Sequence, residues 1–219
     1  MAAVSPTNTP ILYSFRRCPY AMRARMALAS AGIRYVIREV ALKDKPAELL
    51  AASPKATVPV LVLQDRVIEQ SLEIMCWALA RNDPQQWLAA DQAVMASMFD
   101  LIAINDGPFK FHLDRMKYST RYAVDPVVHR EAAIKLLVPL EARLLDNSYL
   151  FGVKPKLADI ALFPFIRQFA HVDAAAFAEL PLPRLQAWLA QWEASTLFVS
   201  VMTKRAVWRA EQEPVYVEE

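Results

Sequence analysis

The residues most able to do chemistry stand at positions 16–21, which read Arg-Arg-Cys-Pro-Tyr-Ala. A cysteine reacts as its thiolate, and the unpaired N–H groups of a first helical turn stabilise that anion. Cys18 follows a short apolar run and precedes a helix-forming run, so it sits where a strand ends and a helix begins. Arg16 and Arg17 flank it. Helix start, strand end and adjacent cations all favour a lowered thiol pKa. The competing reading is a small buried residue beside a turn, because cysteine packs like a hydrophobe. Position 21 holds alanine where a redox protein would often place a second cysteine, so no internal C-x-x-C disulfide can close. Cys76, the other cysteine, falls on the apolar stripe of a predicted helix with no cation beside it, and reads as core packing.

Two further stretches could bind a ligand. Val58-Pro59 opens a predicted hairpin, where proline cannot donate to a ladder. A cis bond there would leave the N–H and C=O of Val58 free to pair with an extended peptide. The alternative is an ordinary trans proline at the first residue of a strand. Gln70-Ser71 opens the next helix, where a hydroxyl, free amides and the helix dipole would meet a carboxylate. Taken alone, Ser71 reads as an N-cap.

Positioning these groups requires a particular order of elements. Ile11 to Phe15 is a buried strand, and the segment from Pro19 to Gly32, rich in Ala, Met, Leu and Arg, is a helix closed by glycine. Ile33 to Val40 is a second strand, and a short helix begins at Pro46. Two strands joined at Gln64-Asp65 form a hairpin. A helix follows from Ser71, with Leu72, Met75, Cys76 and Leu79 as its apolar stripe. Strand-helix-strand units cross over to parallel neighbours and two-residue connections do not, so the sheet is mixed, with four strands. This is a thioredoxin-like α/β arrangement over residues 10–82. Residues 83–88 read as a linker, and 89–219 as an all-helical domain with helices near 89–116, 127–147, 157–172, 183–193 and 196–202. A break falls at Gly107-Pro108.

Composition removes other function classes. The chain of 219 residues is 55% hydrophobic and 22% charged, which suits a folded protein. Its 25 basic and 23 acidic residues leave a net charge of +2 without a dense basic stripe, which argues against nucleic acid. No apolar run reaches the roughly 18 to 20 residues of a membrane span. Residues 1–10 lack the pattern of a secretory signal, so a cytoplasmic setting with reduced thiols is expected. Too few His and Cys cluster for a structural zinc site, and no metal is expected. Three glycines, none in a glycine-rich loop, argue against a nucleotide fingerprint.

Several stretches together resemble the glutathione transferases, and most closely their cysteine-containing, omega-like branch. They are CPYAMRARMALASAGI, LKDKP, SPKATVPVL and VIEQSLEI, with YLFGVKPKLADIALFP further on. The resemblance implies a thioredoxin-like domain that binds glutathione as cosubstrate and a helical domain that helps to form the acceptor pocket. On it, Cys18 is the catalytic cysteine and Tyr20 the aromatic residue beside it. Lys45 holds the glycyl carboxylate, Val58 before cis-Pro59 pairs with the cysteinyl backbone, and Gln70 and Ser71 bind the γ-glutamyl end. Gln70 stands where many omega members have Glu, which removes one attraction to the γ-glutamyl ammonium. Lys156 stands where the family has Ser or Thr three residues before Asp159, so one half of a capping box is missing. The implied activity is thiol transfer or deglutathionylation through a Cys18–glutathione mixed disulfide, acting on a small disulfide or electrophilic substrate. The alternatives are conventional conjugation and a binding protein that kept the fold without the chemistry. Asn105, Phe109, His112, Tyr118 and Trp208 are candidate acceptor-site residues by the same resemblance, which also admits a homodimer. Trp188 and Trp192 read as helix packing.

Overall fold

The computed structural model describes residues 9–218, so the expectation about a secretory signal rests largely on residues outside it. The described residues form two compact units: one of residues 9–85 together with 196–218, the other of residues 86–195.

The first unit holds a five-stranded sheet of β1 (Ile11–Ser14), β2 (Tyr35–Glu39), β3 (Val60–Val62), β4 (Val67–Ile68) and β5 (Tyr216–Val217), in the order β4-β3-β1-β2-β5. β1 and β2 are parallel and the remaining pairs antiparallel, so the mixed sheet of a thioredoxin-like domain is present. The hairpin closes where expected, with Leu63 N–H donating to the Arg66 carbonyl across Gln64-Asp65. α1 (Pro19–Ser30), α2 (Ala47–Ala52) and α3 (Ser71–Leu79) complete the expected order. Gly32 has φ +61°, a left-handed conformation that costs glycine little, which ends α1 and turns the chain toward β2.

The fifth strand and its segment depart from the sequence reading. Residues 196–218, assigned by sequence to the helical domain, pack with the first unit. α11 (Thr196–Val201) lies against α1, and β5 pairs with β2. Trp208 N–H donates to the Glu39 carbonyl at 2.8 Å. Its ring joins Tyr13, Val40, Leu49 and Val60 in one buried cluster. Trp208 is therefore a core residue of the first unit rather than part of an acceptor wall.

The second unit is helical: α4 (Gln92–Ile104), α5 (Lys110–Lys117), α6 (Ser119–Tyr122), α7 (Pro126–Arg143), α8 (Leu157–Ala170), α9 (Ala174–Ala178) and α10 (Pro183–Glu193). The expected break at Gly107-Pro108 is a π-helical turn, Asn105–Phe109, which accommodates proline inside an otherwise continuous helix. Twelve of the fourteen residues of α8 are buried, as befits a helix that is apolar on every side. Trp87, within the stretch read as a linker, is fully buried, and its carbonyl accepts the N–H of Leu157 at 2.9 Å.

Asp159 fastens the start of α8. Its Oδ1 accepts from the Leu150 N–H and the Trp188 indole, and its Oδ2 from the Lys156 N–H, each at 2.9 Å. Burial pushes its carboxyl up to about 6 despite those bonds. Lysine has no acceptor, so Lys156 cannot complete the box, and its Nζ donates instead to the Gln86 carbonyl. The Asp159 N–H is not orphaned, because the Lys156 carbonyl accepts it at 3.0 Å. Trp188 and Trp192 pack on Phe163, as expected of helix-packing residues.

Candidate functional site

Cys18 is the N-cap residue of α1, with φ −75° and ψ 123°, and Pro19 takes the first helical position. This follows from the local sequence, because proline has no N–H to lose in a first turn and disfavours helical geometry in the residue before it. The Cys18 N–H donates to the Phe15 carbonyl at 3.0 Å, and the Cys18 carbonyl accepts from Met22 at 2.9 Å. The sulfur is thus held half-buried at the positive end of a helix of 12 residues. Neither cysteine is in a disulfide. Cys76 is half-buried within α3, and burial raises its pKa, consistent with a packing role.

The Val58-Pro59 bond is cis, and the Val58 carbonyl accepts from the Cys18 thiol at 3.6 Å. Two segments 40 residues apart in sequence therefore meet at the sulfur. The loop before Val58 is tied to the segment before α3, since Ser53 Oγ donates to Glu69 Oε1 at 2.5 Å.

Ser71 is placed differently from the sequence reading. Gln70, not Ser71, is the N-cap of α3, and its side chain makes no capping bond and is exposed. The buried Ser71 hydroxyl accepts from Arg23 Nε at 3.0 Å. A buried guanidinium must find acceptors, and that need outweighs capping at this serine. The Arg23 guanidinium also lies 5.1 Å from the centre of the Tyr20 ring. Cys18, Tyr20, Val58, Pro59 and Ser71 are thus gathered around the start of α1, with Gln70 adjacent to Ser71. Lys45 lies half-buried in the loop between β2 and α2, and no hydrogen bond ties it to that group among the described residues.

Sequence reasoning missed Arg23 and Arg25. Both are 2% exposed, so two charged side chains lie inside the first unit. Arg25 contacts the loop that leads to Cys18, with Nη2 donating to the Arg16 carbonyl at 2.8 Å and Nη1 to Ser14 Oγ at 2.5 Å. The reason lies in the rest of α1, where Pro19 and every residue from Ala21 to Ala29 are buried, which no sequence window reveals. A helix enclosed on all sides forces its arginines to be partnered.

The other candidate acceptor residues lie in the second unit. Asn105 and Phe109 are buried in the π-helical turn, and Asn105 Nδ2 donates to Asp106 Oδ1 at 2.9 Å. Tyr118 is exposed. His112 on α5 shares a hydrogen bond with His129 on α7, Nδ1 to Nδ1, at 2.9 Å; burial and the neighbouring His129 and Arg115 lower its pKa. Among the described residues no group of three or more His, Cys, Asp or Glu is placed to hold a metal, and no helix is long and apolar enough to cross a membrane.

Comparison with known proteins places this geometry in a family. Residues 12–87 match the glutathione S-transferase N-terminal domain and residues 85–191 the C-terminal domain. Glutathione S-transferase U28 of Arabidopsis thaliana is 26% identical over 182 residues, covering 81% of each chain. Glutathione S-transferase omega-1 of Mus musculus is 27% identical over 197 residues, covering 82% of this chain and 74% of its own. Among solved structures, glutathione transferase Omega 3C from Trametes versicolor superposes with a TM-score of 0.75 at 21% identity, covering 91% of this chain and 85% of its own. A Pseudomonas fluorescens family member with two glutathione molecules bound gives 0.78 at 19%, covering 91% and 94%. Omega relatives and plant relatives lie at nearly the same distance, so identity alone does not assign a branch. The two domain matches together span most of the chain, and this protein belongs to the glutathione S-transferase superfamily.

Proposed function

We propose that this chain is a glutathione-dependent thiol transferase that works through Cys18, in the manner of the cysteine-containing, omega-like branch. The observation that carries the proposal is the placement of the Cys18 sulfur at a helix N-terminus, 3.6 Å from the backbone carbonyl that precedes cis-Pro59. A serine or tyrosine at the same place would only hydrogen-bond the thiolate of glutathione. A cysteine there can attack the glutathionyl sulfur of a disulfide and bond to it as that disulfide breaks.

In the proposed cycle the Cys18 thiolate attacks the glutathionyl sulfur of a mixed disulfide. The Cys18–S–S–glutathione bond forms, the substrate's S–S bond breaks, and the substrate leaves as a thiolate that takes a proton from solvent. A second glutathione thiolate then attacks the glutathione sulfur of the adduct. Oxidised glutathione leaves and the Cys18 thiolate returns. Ala21, fully buried, offers no internal thiol, so the resolving thiol is glutathione itself.

The proposed binding roles are those the family resemblance implies, and the contacts at Val58 and Ser71 support two of them. Val58 presents backbone groups to the cysteinyl portion of glutathione. Because Arg23 Nε donates to the Ser71 oxygen, the Ser71 hydroxyl hydrogen is left to donate to the γ-glutamyl carboxylate, next to the first N–H groups of α3. Gln70, exposed beside it, bonds the γ-glutamyl end without a charge. Tyr20 lines the approach to the sulfur, and Lys45 takes the glycyl carboxylate. Parallel assays of hydroxyethyl disulfide reduction and chlorodinitrobenzene conjugation test the proposal. Reduction that disappears in Cys18→Ser supports it. Conjugation that survives in Cys18→Ala, without measurable reduction in the parent, would replace it with the conjugating reading.

A further inference from the structure

Arg25 is a buried cation whose donors all reach neutral acceptors. Its Nε donates to the Val201 carbonyl at 3.1 Å. Nη1 reaches Ser14 Oγ at 2.5 Å and the Phe15 carbonyl at 3.5 Å, while Nη2 reaches the Arg16 carbonyl at 2.8 Å and Met202 Sδ at 3.7 Å. Among the described residues no carboxylate forms an ion pair with it. Glu39 is the nearby acid, but its Oε1 accepts the Arg16 N–H at 2.7 Å. A buried charge with no carboxylate in direct hydrogen bond is costly, and its field acts both on Glu39 and on whatever else lies beside it.

The placement says what that is. Arg25 lies two turns along α1 from Cys18, and helical side chains run back toward the helix start. Three of its acceptors, on Ser14, Phe15 and Arg16, belong to the segment that enters the Cys18 turn. The Phe15 carbonyl also accepts the Cys18 N–H, so one oxygen separates the guanidinium from the backbone of the cysteine. The two flanking arginines are placed otherwise. Arg17 is exposed and its guanidinium lies 5.5 Å from the centre of the Phe15 ring, and Arg16 is half-buried and contributes its backbone to the Arg25 and Glu39 contacts.

We propose that Arg25, rather than Arg16 or Arg17, is the positioning residue that fixes the Cys18 turn and supplies the buried positive charge that favours the thiolate. The inference rests on the thiol-transfer reading above. Burial pulls the guanidinium down, while the negative charges available to Tyr35, Glu39 and Cys18 push it up and Arg16 pulls it down again; these are the charges that face it. Attraction between guanidinium and thiolate is reciprocal, so what holds the proton on Arg25 also releases it from Cys18. A charge inside the first unit is screened little by salt, whereas exposed Arg17 is screened strongly.

The test is the thiol pKa of Cys18, read from the pH dependence of iodoacetamide alkylation followed by mass spectrometry of the Cys18 peptide. In the parent, the pKa should lie below that of free cysteine and move by no more than a few tenths of a unit between 20 mM and 500 mM KCl, conditions that shorten screening from roughly 20 Å to about 4 Å. Arg25→Met should raise it by about one unit, the low end for removing an opposite charge nearby. Arg25→Lys should keep it near the parent value despite losing the planar fork, a rescue that a purely structural role would not produce. Arg17→Gln should leave it unchanged. If Arg25→Met does not fold, the salt series and the Lys and Arg17 variants decide. A parent pKa that is low but rises with salt, or rises in Arg17→Gln, overturns the role of Arg25 and leaves the proposed function standing. A parent pKa equal to that of free cysteine removes the activated thiolate, and the proposed function falls with this inference.

Discussion

Replacing Trp208 with alanine probes whether the C-terminal segment is structurally part of the first unit. The indole is 9% exposed, packs edge-on against Tyr13 with centroids 6.2 Å apart, and carries the Arg38 guanidinium 4.0 Å above its ring. Truncating a buried tryptophan costs about 3–5 kcal/mol in transfer and cavity terms, and the aromatic and cation–π contacts place this site in the upper half of that range. For a chain of this size each kcal/mol lowers the melting temperature by about 2–4 °C, so the loss should be about 10 °C or more. The backbone bond from residue 208 to Glu39 survives in the variant, which isolates the side chain. Differential scanning calorimetry and urea titration followed by far-UV circular dichroism measure the change without relying on tryptophan emission. Val199→Ala, at a position 60% exposed on the same segment, serves as the control and should change stability by less than about 0.5 kcal/mol. A Trp208→Ala loss below about 1 kcal/mol would refute the assignment of this segment to the first core.

Other outcomes follow from the same contacts. Because burial raises Asp159 from 3.8 to about 6, the native state holds that proton more tightly than the unfolded chain. Its contribution to stability is complete below pH 3.8 and lost as pH rises through about 6, by up to about 3 kcal/mol. Asp159→Asn, which sets an amide N–H₂ against the Lys156 N–H, should therefore be less stable than the parent by a margin that narrows from pH 4 to pH 7 in urea titrations; a widening margin would mean that the hydrogen bonds outweigh burial. Lys156→Ser should gain only about 0.5 kcal/mol, the low end for an N-cap, since the Lys156 carbonyl already accepts the Asp159 N–H. A rise in melting temperature corresponding to 2 kcal/mol or more would contradict that. Cys18→Ser should abolish hydroxyethyl disulfide reduction while leaving the melting temperature within about 2 °C of the parent, a shift of under 1 kcal/mol. A larger drop would show that the sulfur carries packing.

The elements with a strong period were legible from sequence. β1, the tight hairpin at Gln64-Asp65 and the long helices all declared themselves by apolar spacing and turn residues. Pro19 fixed the start of α1 and with it the place of Cys18. β5 has two residues, too few for an alternation to register, and pairs with a strand some 180 positions earlier in the chain. Arg23 and Arg25 stood only as members of a helix-forming run, because a sequence window does not reveal that α11 covers α1. Ser71 has the composition of an N-cap, and only the buried guanidinium across from it explains why its hydroxyl is used elsewhere. The adjacency of Arg16 and Arg17 to Cys18 suggested them as the cations that matter, whereas the closest network of bonds to the cysteine loop comes from a residue two helical turns away.

The central claim is that Cys18 forms a covalent bond to glutathione during turnover. Acid quenching of the parent protein within one turnover after mixing with a glutathionylated peptide, followed by intact mass and peptide mapping, tests it directly. A single glutathionyl group on Cys18, absent from Cys76 and discharged by added glutathione, is the predicted result. A quenched protein that never carries the adduct while the peptide is still deglutathionylated would contradict the account.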